Sequence, residues 1–225
     1  MPHEPNNATK VTVAAGDVSL QGMLVLPAGA RGVVVFAHGS GSGRLSPRNG
    51  HVARVLERSG LGTLLVDLLT IEEERIDLRT GHLRFDIDFL AGRLLHATDW
   101  VTSTADAAGL AVGYFGASTG AAAALQAAAQ RADVVRAVVS RGGRPDLAMQ
   151  WLAQVRAPTL LIVGEEDQPV IPLNRQAYAA LPGERELVIV PGAGHLFEEP
   201  GMLDEVATHA ARWFTRHLST PQATE

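Results

Sequence analysis

The stretch "GYFGASTGAAAALQ", residues 113–126, changes its hydrophobic pattern halfway along. Upstream, "LAVGYFGAS" (110–118) is a short apolar run of strand type, and from Ala121 onward a block of alanines is of helix type. The change falls within Gly116-Ala117-Ser118-Thr119-Gly120. A chain that passes from strand to helix so abruptly needs a sharp turn, and glycines at 116 and 120 remove the Cβ atoms that would collide there. Ser118 stands at the apex, with the first N–H groups of the helix aimed at the same place. On its own, a serine between two spaced glycines also fits a purely structural turn, so the rest of the chain has to decide.

Working outward, short apolar runs alternate with helical patterns. Strands are expected at 10–15, 18–27, 31–39, 61–69, 110–118, 135–140, 158–167 and 185–192, and helices at about 48–59, 86–103, 119–131, 145–155, 171–181 and 201–218. Such alternation predicts an α/β fold: a mostly parallel central sheet of about eight strands with helices on both faces. The first two runs, joined at Gly16-Asp17, form a hairpin that adds an antiparallel edge. The 225 residues fit a single domain, 1–225, whose polar ends, 1–9 and 219–225, are expected to be flexible.

Composition narrows the function. The net charge is −5, so no basic footprint for nucleic acid is present. There is no cysteine, which removes disulfides and thiolate metal sites. No basic-then-apolar leader opens the chain and no apolar run spans a bilayer, so a cytoplasmic protein without a membrane partner is expected. No metal or cofactor is expected. The oligomeric state, monomer or homodimer, stays open.

A serine hydroxyl of ordinary acidity is a weak nucleophile and needs a base, which in turn needs an orienting acid. After a strand–Ser–helix elbow these partners follow in the order acid, then histidine. "LLIVGEEDQPV" (160–170) ends a strand in three acids, and "LVIVPGAGHLFEEPG" (187–201) ends the next in a glycine-rich loop carrying His195. Ser118, Asp167 and His195 are therefore the candidate catalytic residues, with Glu165 and Glu166 as alternatives for the acid. In "FAHGSGSGRLSPRNG" (36–50) the Ser40 backbone N–H pairs with that of Thr119 as a candidate oxyanion hole. His38 reads as a brace for this loop or as a second base. The glycine spacing is not that of a nucleotide-binding loop, and the chain's single lysine is Lys10.

The four motifs "HGSGSG", "GASTG", "GEEDQPV" and "GAGHLFEEPG", in that order, resemble the α/β-hydrolase superfamily, and more narrowly its small dienelactone-hydrolase-like branch, over residues 10–218. The resemblance implies an α/β-hydrolase fold, a Ser118–Asp167–His195 triad, and an oxyanion hole at Ser40 and Thr119. Dienelactone hydrolases use a cysteine nucleophile, so a serine here shifts the expectation toward simple carboxylic esters. Some relatives carry a fused phosphoribosyltransferase domain, for which this chain is expected to be too short.

The segment 141–157 has room for one helix where larger relatives insert a cap, so no cap domain is expected. The segment 70–85 leaves its strand at the same end as Ser118 and reads either as a rim or partial lid, or as a solvated loop with a short helix. Arginines gather near the site: Arg44, Arg48, Arg79, Arg84, Arg141 and Arg144. They would bind an anionic substrate group, or pair with Asp86, Asp88, Glu198 or Glu199. Candidate substrate contacts are Arg44, Leu69, Arg141, Val170 and Leu196. The function these residues predict is hydrolysis of a small-molecule carboxylic ester through an acyl-enzyme. A thioesterase or lactone hydrolase would use the same triad, and a ligand sensor would keep the fold without turnover.

Overall fold

The computed structural model describes residues 8–219. Eight strands form one sheet: β1 (Thr9–Ala15), β2 (Val18–Val25), β3 (Gly32–Ala37), β4 (Gly62–Val66), β5 (Ala111–Ala117), β6 (Val135–Arg141), β7 (Thr159–Gly164) and β8 (Arg185–Val190). Their spatial order is β1-β2-β4-β3-β5-β6-β7-β8. From β4 to β8 every pairing is parallel, while β1–β2 and β2–β4 are antiparallel. The hairpin turns at Gly16, whose φ of 70° belongs to glycine, and Ala15 pairs with Val18 across it.

The inner strands read as unbroken apolar runs because both faces are covered. All six residues of β3 are buried, and they divide between two cores by strand alternation. Val33, Val35 and Ala37 join the core beneath α3 (Ile87–Ser103), α4 (Thr119–Gln130), the single turn α5 (Met149–Leu152) and α6 (Ile171–Ala180). Val34 and Phe36 join the core beneath α1 (Pro47–Arg58) and α7 (Met202–Leu218). The amphipathic α7 places Trp213, Phe214 and Leu218 there, and Phe214 fills the space a side chain at Gly113 would need. Tyr114, fully buried, keeps its hydroxyl satisfied by Thr98 at 2.6 Å.

Two expectations change, and the short helix that is one reading of 70–85 is present. The segment 70–85 is mostly helix: α2 (Ile71–Thr80) opens with a capping box between Thr70 and Glu73, closes on Gly81, and is followed by a 3₁₀ turn at Leu83–Phe85. The helix predicted over 145–155 is a 3₁₀ turn at Pro145–Ala148 followed by α5, because buried Ala148 leaves helical geometry at φ −117°, ψ 19°. The ends predicted to be flexible lie largely outside the described residues, but Thr9 already pairs with Leu24 in β1. Among the described residues no helix is long and apolar enough to cross a membrane.

Candidate active site

The parallel strands end on one edge, and the site is built there. β5 runs into α4 through Ser118, which adopts φ 51°, ψ −121°. Only Phe197 shares a positive φ among the described non-glycine residues. Such a conformation costs about 1–3 kcal/mol and is held in place by its surroundings. The surroundings here are close. A Cβ on Gly116 would lie 2.4 Å from Ala121 Cα, and one on Gly120 would lie 2.2 Å from the Ala37 carbonyl oxygen. Ala121–Ala124 are fully buried, so their small side chains let α4 sit directly on the sheet. The Ser118 N–H donates to the Arg141 carbonyl at 3.2 Å, and its own carbonyl accepts from Ala121 and Arg144 at 3.1 Å each.

β7 ends at Gly164, and the turn that follows buries Asp167 while leaving Glu165 and Glu166 exposed. Asp167 Oδ2 lies 2.6 Å from His195 Nδ1. The two neighbouring acids hold the histidine loop instead: Gly192 N–H donates to Glu165 Oε2 at 2.9 Å, and Glu166 N–H donates to the Ala193 carbonyl at 3.0 Å. Gly164 permits this approach, since a Cβ there would lie 2.2 Å from the Ala193 oxygen. Beyond His195, buried Phe197 anchors the loop in the core under α1 and α7, and Glu199 accepts the Gly194 N–H at 3.0 Å.

The turn after β6 touches both Ser118 and His195. The Arg141 carbonyl takes the Ser118 amide, and at Gly142 (φ 50°) a Cβ would lie 3.4 Å from His195 Nδ1. Among the described contacts no hydrogen bond joins Ser118 Oγ to the imidazole. That bond is often loose before substrate binds.

The loop after β3 closes the other side. A Cβ on Gly39 would lie 3.0 Å from Ser118 Cβ, so the loop backbone passes directly beside the elbow. The Ser40 and Thr119 hydroxyls are 3.3 Å apart, and neither residue's N–H has an acceptor among the described residues. Two free amides thus flank Ser118. His38 is a brace: Nδ1 contacts the Gly39 carbonyl at 3.0 Å and Nε2 accepts the Leu68 N–H at 2.9 Å. That arrangement needs the neutral ring, and burial pushes its pKa below the usual histidine value.

A cavity of about 370 Å³ adjoins these amides, bounded by loop 38–48, Asp67, Leu69, α2 and Leu90 of α3. Its apolar wall is Leu45, Leu69, Leu78 and Leu90. Helix α2 is therefore a rim of the cavity, and its Leu78 is 68% exposed. Of the predicted substrate contacts, Arg44 and Leu69 line the cavity. Arg44 is tied to Asp67 through both its backbone N–H and its guanidinium. Val170 instead packs in a small cluster with Val163 and Ile171 behind Asp167. Leu196 is 39% exposed beside His195, and Arg141 is buried at the end of β6.

Pairing of the arginines differs from expectation. Arg48 holds Glu198 at 2.6 Å, but Arg84 holds Asp77 and Arg144 holds Asp146. Asp86 caps α3, Asp88 accepts from Gln126, and Glu199 serves the histidine loop. Among the described residues no cluster of histidine and acid side chains is arranged to hold a metal ion.

Comparison with known proteins adds three findings. A family model described as "Dienelactone hydrolase family" matches residues 20–223. Two Mycobacterium tuberculosis proteins, from strains CDC 1551 / Oshkosh and H37Rv and each named "Putative phosphoribosyl transferase", are 56% identical over 217 residues. The match takes in 96% of this chain and 48% of theirs, so the chain spans about half the length of the curated relatives it matches. Among solved structures, a dienelactone hydrolase from Anabaena variabilis is 60% identical with a TM-score of 0.93, covering 94% of this chain and 98% of that one. Est1E from Butyrivibrio proteoclasticus shares the fold at 14% identity, with a TM-score of 0.79 over 94% of this chain and 99% of its own.

Proposed function

The chain belongs to the dienelactone hydrolase family, and from that premise we propose that it is a serine hydrolase that cleaves carboxylic esters through an acyl-enzyme. The observation that carries this reading is the Asp167–His195 pair at 2.6 Å, set beside a strained Ser118 flanked by two free amides. Ser118 Oγ attacks the ester carbonyl while His195 Nε2 takes its proton. Asp167 fixes the ring tautomer and stabilises the imidazolium. The tetrahedral oxyanion receives the Ser40 and Thr119 N–H groups, which need no reorganisation to meet it. Collapse expels the alcohol with the proton from His195. Water, activated by the same ring, then releases the acid. The acyl group is assigned to the leucine-walled cavity next to those amides.

Lactone hydrolysis by the same triad is the second reading, favoured by the dienelactone hydrolase name of the Anabaena structure. The phosphoribosyl transferase name is said of proteins about twice as long. The test is hydrolysis of p-nitrophenyl esters from acetate to decanoate by the wild type and Ser118→Ala. The wild type alone should turn over, with the chain-length optimum sizing the acyl pocket, and the variant should lose on the order of 10⁶ in kcat. Equal rates from the two proteins would remove Ser118 from the mechanism. If simple esters fail, lactones are assayed with the same pair.

A further inference from the structure

Helix α2 is inverted for a helix packed on a core. Its one buried residue is Asp77, which with half-buried Glu73 fastens the helix to the body through ion pairs to Arg84 and Arg93. Its apolar residues, Ile71, Ile76 and Leu78, are all exposed, Ile71 at 59%. A surface helix ordinarily turns its apolar stripe inward. Leu45, which lines the same cavity as Leu78, and Phe85, on the 3₁₀ turn after α2, are exposed as well. Five of the eight exposed large apolar side chains among the described residues thus gather in this region. A monomer rarely leaves such residues together in water.

The outward face carries a pattern. Ile71, Glu74, Arg75 and Leu78 stand at i, i+3, i+4 and i+7, so they form one stripe along the helix. All four are exposed, and neither Glu74 nor Arg75 makes a hydrogen bond or ion pair among the described residues. Read in reverse, the stripe is again apolar, charged, charged, apolar, with the two signs exchanged. A two-fold axis through its middle runs two such helices antiparallel. It sets Ile71 against Leu78 of the partner subunit and Glu74 against Arg75 of the partner subunit, and symmetry repeats both contacts. The opposed helix dipoles add to the attraction. A lipid surface on the same stripe would leave both charges without partners.

We infer that α2 is a self-association surface, and that two copies of this chain pair through it about a two-fold axis with their α2 helices antiparallel. Glu74 and Leu78 also line the cavity, so the interface borders it, and Ile71 of the partner subunit extends the leucine wall outward. A seam of one short helix from each copy is at the small end of specific interfaces, so the pairing is weak and reversible. The inference does not rest on the serine-esterase reading.

The experiment is sedimentation velocity from about 1 μM to about 200 μM on the wild type, Glu74→Arg, Arg75→Glu and Ile71→Asp. The wild type should pass from monomer to dimer as concentration rises, and Ser118→Ala should do the same. Glu74→Arg sets arginine against arginine at both central contacts, and Arg75→Glu sets glutamate against glutamate. Each should weaken self-association by about tenfold or more. Ile71→Asp should weaken it too, although an aspartate in the first turn suits the helix itself. The decisive sample is an equimolar mixture of Glu74→Arg and Arg75→Glu. It should dimerise at least as well as the wild type, because the arginines of one copy meet the glutamates of the other. Variants that had failed to fold would not recover in this way. A wild type that stays monomeric throughout, variants that dimerise as the wild type does, or a mixture that fails to recover overturns the inference. A monomer that binds phosphatidylcholine vesicles, and loses that binding in Leu78→Ser, overturns it as well and gives the face to a lipid surface.

Discussion

Beside Ser118 the backbone is packed so closely that one added methyl group, at Gly120, would lie 2.2 Å from a carbonyl oxygen, whereas across the cavity Leu78 of α2 leaves two thirds of its surface in water. The floor of the site is made of strand ends, glycines and a helix start that interlock through main-chain atoms. The wall is made of side chains on a ten-residue helix held by its own cap and by the Arg84–Asp77 pair. The difference separates two tasks. The proposed chemistry at an ester carbonyl needs atoms fixed to a fraction of an ångström, and the floor is where nothing can move without collision. Choice of substrate needs only a surface of the right character, so it sits on a part that can change without disturbing the sheet.

The contrast can be broken from the floor first. Asp167→Asn should lower kcat by about 10⁴-fold by favouring the wrong imidazole tautomer. Glu165→Gln, one turn away and still able to accept the Gly192 N–H, should change kcat by no more than about threefold. Stopped assays on one short ester would show it, and equal losses in the two variants would mean that the acid is misassigned. Gly120→Ala should destabilise the protein by about 4 kcal/mol or more, or prevent folding, because the clash is with backbone rather than with a movable side chain. Urea unfolding measures that, and a midpoint near the wild-type value would show the elbow to be less rigid than its packing implies. The wall should respond least. Leu78→Ala should raise KM for short-chain esters by about two- to fivefold with little change in kcat or stability. A loss confined to kcat would instead make α2 part of the catalytic machinery.

Much of the floor was legible in the chain. All eight strands and the strand–Ser–helix elbow announce themselves through changes of hydrophobic period around glycine. Helix α2 was partly legible: a short helix in a solvated segment was one reading of 70–85, and Thr70 and Glu73 stand at capping-box spacing, but the charges of "TIEEERIDLRT" left its extent open. The break of the 145–155 helix at Ala148 was not legible, since it depends on how that segment packs against α4 rather than on any local breaker. Phe197, which pins the histidine loop into the core, has no motif of its own.

The sequence by itself determined the α/β alternation, the elbow at Ser118 and the order serine, acid, histidine. These rest on backbone sterics and periodicity among near neighbours, which are written locally. The shorter side chain at the strand–loop junction pointed to Asp167 among three consecutive acids, and only the tertiary structure decided which of them reaches His195, because the turn after Gly164 sets their directions. It also decided which arginines are neutralised. Arg44 meets Asp67 across 23 residues and Arg48 meets Glu198 across 150, while Arg141 meets no carboxylate among the described residues. Pairings over such distances follow from sheet order and helix placement, which no local pattern encodes.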